Sequence, residues 1–196
     1  MSIMNVRELR NSLYESLGKP IVEIQAVNNK GEPLGEKVYL TEEEVSERAI
    51  IGRVDTLDGI EELPMSQVVR TSDGKKRFYY VDKIVVRSPY AVREIGGVIG
   101  RYYGDPEEKD ATHRRYVVIK RMGRGITIGY YQSGLYPLTV KTGEEERPLK
   151  GNEVIVLKEG EEVMIRLAGM YGVVGRDDDG ELIVEKAWLK IQHIRE

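Results

Sequence analysis

Six residues carry the chemistry on offer: Arg101, Thr112, His113, Arg114, Ser133 and Gly134. A guanidinium is a planar fork of donors that stays charged at neutral pH and meets oxyanions two oxygens at a time. A threonine hydroxyl and a histidine ring add donors that can be aimed, the second with a charge that follows pH. A Ser-Gly turn exposes backbone N–H groups. Together these suit an anion with several acceptor oxygens. Catalysis is poorly supplied by comparison. The two histidines, His113 and His193, are far apart and outside any H-x-x-x-H or H-E-x-x-H pattern. There is no cysteine, which excludes thiolate zinc sites, disulfides and a cysteine nucleophile. No G-x-x-x-x-G-K-[ST], G-x-G-x-x-G or G-x-S-x-G occurs. Carboxylates come in runs typical of solvated faces, such as Glu42-Glu43-Glu44, Glu144-Glu145-Glu146 and Asp177-Asp178-Asp179. The expectation is a binding protein with no catalytic residue, no metal and no cofactor.

An arginine after two aliphatics and a glycine is not selective by itself. The pattern occurs as IIGR ending at Arg53, VIGR at Arg101 and VVGR at Arg176. Context favours the middle copy. An acidic loop follows Arg101, and His113-Arg114-Arg115 then open a new apolar run, so cations flank one loop and can face one dianion. Simpler readings stand beside this one. Arg101 can pair with Asp105, Glu107, Glu108 or Asp110, a surface contact worth about 0–1 kcal/mol. His113 at a loop-to-strand junction is more often a plain surface histidine than a phosphate ligand, and Ser133-Gly134 reads as an ordinary hairpin turn. Arg114 and Arg115 alternate faces of a strand, so at most one joins a given site. Arg53 and Arg176 read as solvent-facing arginines at strand ends.

The elements that must position these residues are mostly strands. Over residues 1–75 a small α/β region is expected. Leu9, Leu13 and Leu17 mark a helix stopped by Gly18 and Pro20, and "IVEIQAV" turns at Asn28–Gly31 into the strand "EKVYL". Thr41 with Glu44 forms a capping box for a short helix before IIGR. Residues 54–75 read as irregular and as an internal boundary. From residue 76 to 196, apolar and β-branched runs recur at roughly ten-residue spacing, the rhythm of an antiparallel sandwich or barrel. "ELIVEKAWLKIQHI" is read as a strand returning from "YGVVG" through Asp178-Asp179-Gly180. The fold class expected is mainly β, a β-sandwich with a small N-terminal α/β region. The chain of 196 residues is 32% charged with a net charge of −3, so an anion site must be local. Its Glu, Lys and Arg content beside few Asn and Gln is the bias of heat-adapted proteins. No apolar run reaches membrane-spanning length, and a cytoplasmic location is expected.

The order of parts resembles the forkhead-associated (FHA) domain over roughly residues 76–170. VIGR (98–101), a loop, "HRRYVVI" (113–119), "GITIGYYQSGLY" (125–136) and "RPLKGNEVIVLKEGEEVMIRL" (147–167) follow one another as the corresponding blocks of that family do. The resemblance implies an FHA-like β-sandwich that binds a phosphothreonine peptide through loops at one end. It places Arg101 on the phosphate, His113-Arg114-Arg115-Tyr116 where the family has Ser-Arg-x-His, with Thr112 at the serine if the register slips by one, and Ser133-Gly134 where it has an Asn-Gly turn. The chain departs from the family at several of these points. His113 or Thr112 replaces the serine, Ser133 replaces the asparagine, and Gly151-Asn152 and Gly160-Glu161 stand where Gly-Asp is usual. A second reading is single-stranded nucleic acid, from Arg114, Arg115, Lys120, Arg121 and Arg124 interleaved with Tyr102, Tyr103, Tyr116, Tyr130 and Tyr131. A third is a scaffold that binds proteins without phosphate.

Overall fold

The computed structural model describes residues 18–53, 66–71, 77–102, 115–132, 138–149, 153–167 and 169–195. The helix expected over Leu9, Leu13 and Leu17 lies outside them. The described chain is mainly β, with one short helix.

The first strand, β1 (Pro20–Asn28), is buried on both faces from Ile21 to Val27, and its two edges pair with β2 (Val38–Thr41) and β14 (Leu182–His193). Even its polar residues are used: Glu23 pairs with Lys37 at 3.0 Å, and the Gln25 amide donates to the Gly35 carbonyl at 2.8 Å. Thr41 then caps helix α1 (Glu42–Glu47) with both halves of the capping box in place. β3 (Ala49–Arg53) follows.

β14 organises the molecule, because it belongs to two sheets. Its second half, from Ala187 onward, pairs with β1 and with β12 (Glu162–Arg166), which continues to β9 (Leu138–Thr142) and β10 (Glu145–Leu149). Its first half, Leu182 to Lys186, pairs with β13 (Met170–Arg176). From β13 the larger sheet runs through β6 (Val92–Tyr102), β5 (Arg77–Arg87), β3, β7 (Arg115–Met122), β8 (Gly125–Gln132) and β11 (Ile155–Leu157). The burial of β14 switches face where it changes sheet. Leu182 and Val184 join a small cluster with Tyr171, whereas Ala187, Leu189 and Ile191 enter the main core. That core draws on both sheets, from Val22, Ile24 and Ile165 on one to Ile51, Val86 and Ile119 on the other. Burial of such side chains stabilises by roughly 1.5–3 kcal/mol each relative to exposure.

One edge of the larger sheet closes on itself. β4 (Ser66–Thr71) pairs antiparallel with β5 and parallel with β14. The strands β14, β13, β6, β5 and β4 therefore form a ring of pairings. An odd ring cannot alternate direction all the way round, so one parallel seam is unavoidable, and β4–β14 is that seam.

Four sequence expectations need correction or refinement. Residues 66–71, read as irregular, form β4. "YAVREI" and "GGVIG", read as two runs, are one strand, β6, bent at Gly97 with φ 82. The charged run at Glu145 and Glu146 is solvated as expected, yet it is a strand, held by its hairpin partner β9. The strands on either side of Ser133-Gly134, β8 and β9, pair with other strands and not with each other, so no hairpin closes there. The helix-capping box, the strand reading of residues 182–193 and the hairpin turn at Gly180 agree with the sequence. Strands on both sides of residues 54–75 share the sheets, since β1 pairs with β14 and β3 lies between β5 and β7.

Candidate functional site

Thr112, His113, Arg114, Ser133 and Gly134 lie outside the described residues, and Arg101 is described as part of the β6 backbone. What can be built is the frame that carries them. Neighbours from β6 through β5, β3 and β7 to β8 are all antiparallel. It follows that β6, β3 and β8 end, and β5 and β7 begin, at the same end of the sheet. Arg101 is the penultimate residue of β6, Arg115 begins β7 and Gln132 ends β8, so the sequence-predicted residues are attached along one rim.

Their spacing along that rim is unequal. Arg115 and Gln132 are register partners, so Thr112–Arg114 and Ser133-Gly134 join adjacent, paired strand ends. Arg101 belongs to β6, which is separated from β7 by β5 and β3. Three strand spacings of about 4.8 Å put the β6 and β7 backbones roughly 14 Å apart. The natural centre of the frame is the β7–β8 end, with Arg101 on its flank.

The glycine of VIGR has a cause that the sequence hid. A Cβ at Gly100 would come within 2.5 Å of the Cγ and Cδ of Arg53 and 3.0 Å from Ile84. The missing side chain of the second tetrapeptide thus makes room for the arginine of the first. Arg53 is buried, 7% exposed, and not the solvent-facing residue expected. Arg176 is exposed as expected and donates to the Gly180 carbonyl at 2.8 Å, within its own turn. Arg53→Ala is therefore expected to cost about 1–3 kcal/mol through lost packing, and Arg176→Ala less than about 0.5 kcal/mol. Urea unfolding of the two variants checks this, and equal costs would contradict the burial of Arg53.

Glu44 is a fully buried carboxylate, and it belongs to the scaffold. The Arg93 fork donates to both its oxygens at 2.8 and 3.0 Å, the Ser88 hydroxyl donates to Oε2, and the Thr41 backbone N–H donates at 3.1 Å. Burial pushes the Glu44 carboxyl up, but the hydrogen bonds from Arg93, Ser88 and Thr41 outweigh it and hold the group below its ordinary range. A carboxylate so fully satisfied is a strut rather than a proton donor. No sequence pattern announces it beyond the capping box, because Ser88 and Arg93 come from the β5–β6 hairpin. Among the described residues no group of three or more His, Cys, Asp or Glu side chains could hold a metal ion. No helix among them is long and apolar enough to cross a membrane.

The basic and tyrosine-rich hairpin β7–β8 carries the residues of the nucleic-acid reading. Arg121 donates to the Gly123 carbonyl at 3.2 Å and approaches Glu42 at 3.8 Å, so part of its charge is spent locally. Tyr131 is the register partner of Tyr116, while Tyr130 is opposite Val117, a core residue. Comparison of the chain with protein families, with curated proteins and with solved structures finds no match in any of the three.

Proposed function

We propose that the protein is a phosphopeptide-binding module, not an enzyme, which engages a phosphothreonine at the end of the larger sheet where β6, β7 and β8 open. The observation that carries this reading is the Arg115–Gln132 register, which pairs the strand ends that adjoin Thr112, His113 and Arg114 and Ser133-Gly134 in the sequence, with Arg101 near the end of β6 at the same end of the sheet. A phosphothreonine brings about −1.5 to −2 charges and three acceptor oxygens, and such a rim supplies aimed donors to them. A cysteine-free chain without a membrane-length helix in its described part fits a cytoplasmic setting.

The test is binding of a phosphothreonine peptide library against the same peptides unphosphorylated, at two salt concentrations. Phosphate-dependent binding that falls in Arg101→Ala but not in Arg176→Ala is the expected result. Binding that ignores phosphorylation and weakens steeply with salt would replace this reading with nucleic acid. If His113 donates to the phosphate, affinity should rise as pH falls from 8 toward about 6.5, because an imidazolium donates from both nitrogens. Below about pH 6 the phosphate itself loses charge and the gain should stop. His113→Ala should then cost roughly tenfold at the lower pH, the worth of one hydrogen bond to a charged group. If Thr112 is the donor instead, the pH dependence flattens and Thr112→Val carries the loss.

A further inference from the structure

The two ends of the sheet path are finished differently. At one end, β10 presents Glu145, Glu146, Arg147 and Pro148, charges and a proline of the kind that keep an edge strand from pairing with another chain. At the other end β11 has no such protection. It pairs with β8 on one side, and no described strand covers its other side. Val154, just before it, is 55% exposed, Val156 is 58% exposed, and Met122 nearby is 68% exposed. Half of the large hydrophobic side chains exposed on the described surface are gathered at this edge. Each valine has a glycine of β8 beside it, Gly125 by Val156 and Gly129 by Val154, and the register partner of Val156 is Thr127. An open edge carries a row of unpaired N–H and C=O groups, which together with exposed valines calls for a strand.

We propose that the occupant is β11 of a second copy, paired antiparallel about a two-fold axis through Ile155. A two-fold perpendicular to the sheet preserves its faces, so outward residues must oppose outward residues. Centred on Ile155, the register sets Val154 opposite the partner copy's Val156 twice, and Ile155 opposite its own counterpart. β-branched pairs of this kind are favoured across strands. The neighbouring in-phase registers are worse: one sets Val154 against Lys158 and the other sets Ile155 against Glu153. In the favoured register Glu153 falls at the margin, opposite Leu157 of the second copy and held by Arg147 at 3.1 Å. The pairing extends the larger sheet across two molecules through β11 and uses none of the residues of the phosphopeptide reading, so it does not rest on that reading.

A short strand pair with one flanking methionine is a small contact, so the dimer should be weak and concentration-dependent. Sedimentation across a micromolar concentration series should show monomer–dimer exchange in the full chain. Val156→Lys should abolish it, while Val92→Lys, at an equally exposed valine on the distant β5–β6 hairpin, should leave it intact. The absence of native cysteine allows a second, independent test. Opposed Cα atoms in antiparallel strands are about 4.5–5.5 Å apart, within the range that a disulfide spans. Mild oxidation of Ile155→Cys should give a covalent dimer, and oxidation of Val174→Cys on β13 should not. A monomer at every concentration with no cross-linking of Ile155→Cys overturns the proposal. Equal loss of association in Val92→Lys, or equal cross-linking of Val174→Cys, places the contact elsewhere and overturns it too.

Discussion

Replacing Glu44 by alanine is expected to destabilise the fold by about 3–5 kcal/mol, the cost of breaking a buried ion pair from one side. The substitution leaves the Arg93 guanidinium, whose side chain is only 18% exposed, without the carboxylate it grips with both arms. It also removes the acceptor of the Ser88 hydroxyl and the Thr41 N–H. Unpaired donors at a buried site each lose their solvation without return. Glu44→Gln keeps the shape and part of the bonding, so it should fall between the parent and alanine. The same group predicts an acid limb of stability. The folded Glu44 carboxyl is held below its ordinary value of 4.5, so the folded state binds fewer protons than the unfolded state as that value is approached. The stabilisation is complete above pH 4.5 and is lost as pH falls through the lower, folded value. Urea unfolding at neutral pH and at steps below 4.5 should show a decline in the parent that is shallower in Glu44→Gln. Similar slopes in the two proteins would show that other carboxylates dominate the acid limb.

Gly97→Ala is expected to cost about 3 kcal/mol or more, by two separable effects. Gly97 has φ 82, and left-handed backbone costs a residue with a side chain roughly 1–2 kcal/mol. Its Cβ would also run into the carbonyl of Leu34, well inside 3 Å, and this neighbour is backbone that cannot rotate away. Overpacking against fixed atoms adds about 1–3 kcal/mol. The approach is mutual, since a Cβ at Gly35 would strike the Gly96 carbonyl. The segment is pinned there by the Leu34 N–H bond to the Ala26 carbonyl at 2.9 Å and by Gln25 at the Gly35 carbonyl. Two companions separate the contributions. Gly31→Ala has a similar φ of 84 and open space around it, so it should cost the strain alone. Gly35→Ala should show the collision. If Gly97→Ala costs no more than Gly31→Ala, the backbone contact between the 33–35 segment and β6 does not exist in solution.

Some of this was legible in the chain because it is local. The capping box at Thr41 and Glu44 needs only a three-residue spacing, and it is present. Strand character follows from β-branched runs and turn glycines, so β1, β7, β8, β13 and β14 could be read residue by residue. The mainly β class follows from their number and rhythm. β10 escaped because its composition is that of a solvated loop, and only the β9 partner makes it a strand. β4 escaped because its status depends on pairing with two strands, one of them more than a hundred residues away. The three arginines show the limit most clearly. Their tetrapeptides are nearly identical, yet Arg53 is buried, Arg176 is exposed and Arg101 stands on the rim. Side-chain environment is set by the strands that end up beside a residue, and strand order is a long-range property. The sequence determined which residues could grip an oxyanion and in what order they occur. Tertiary structure alone decided that β5 and β3 come between β6 and β7, which sets Arg101 at the flank and centres the frame on the paired ends of β7 and β8.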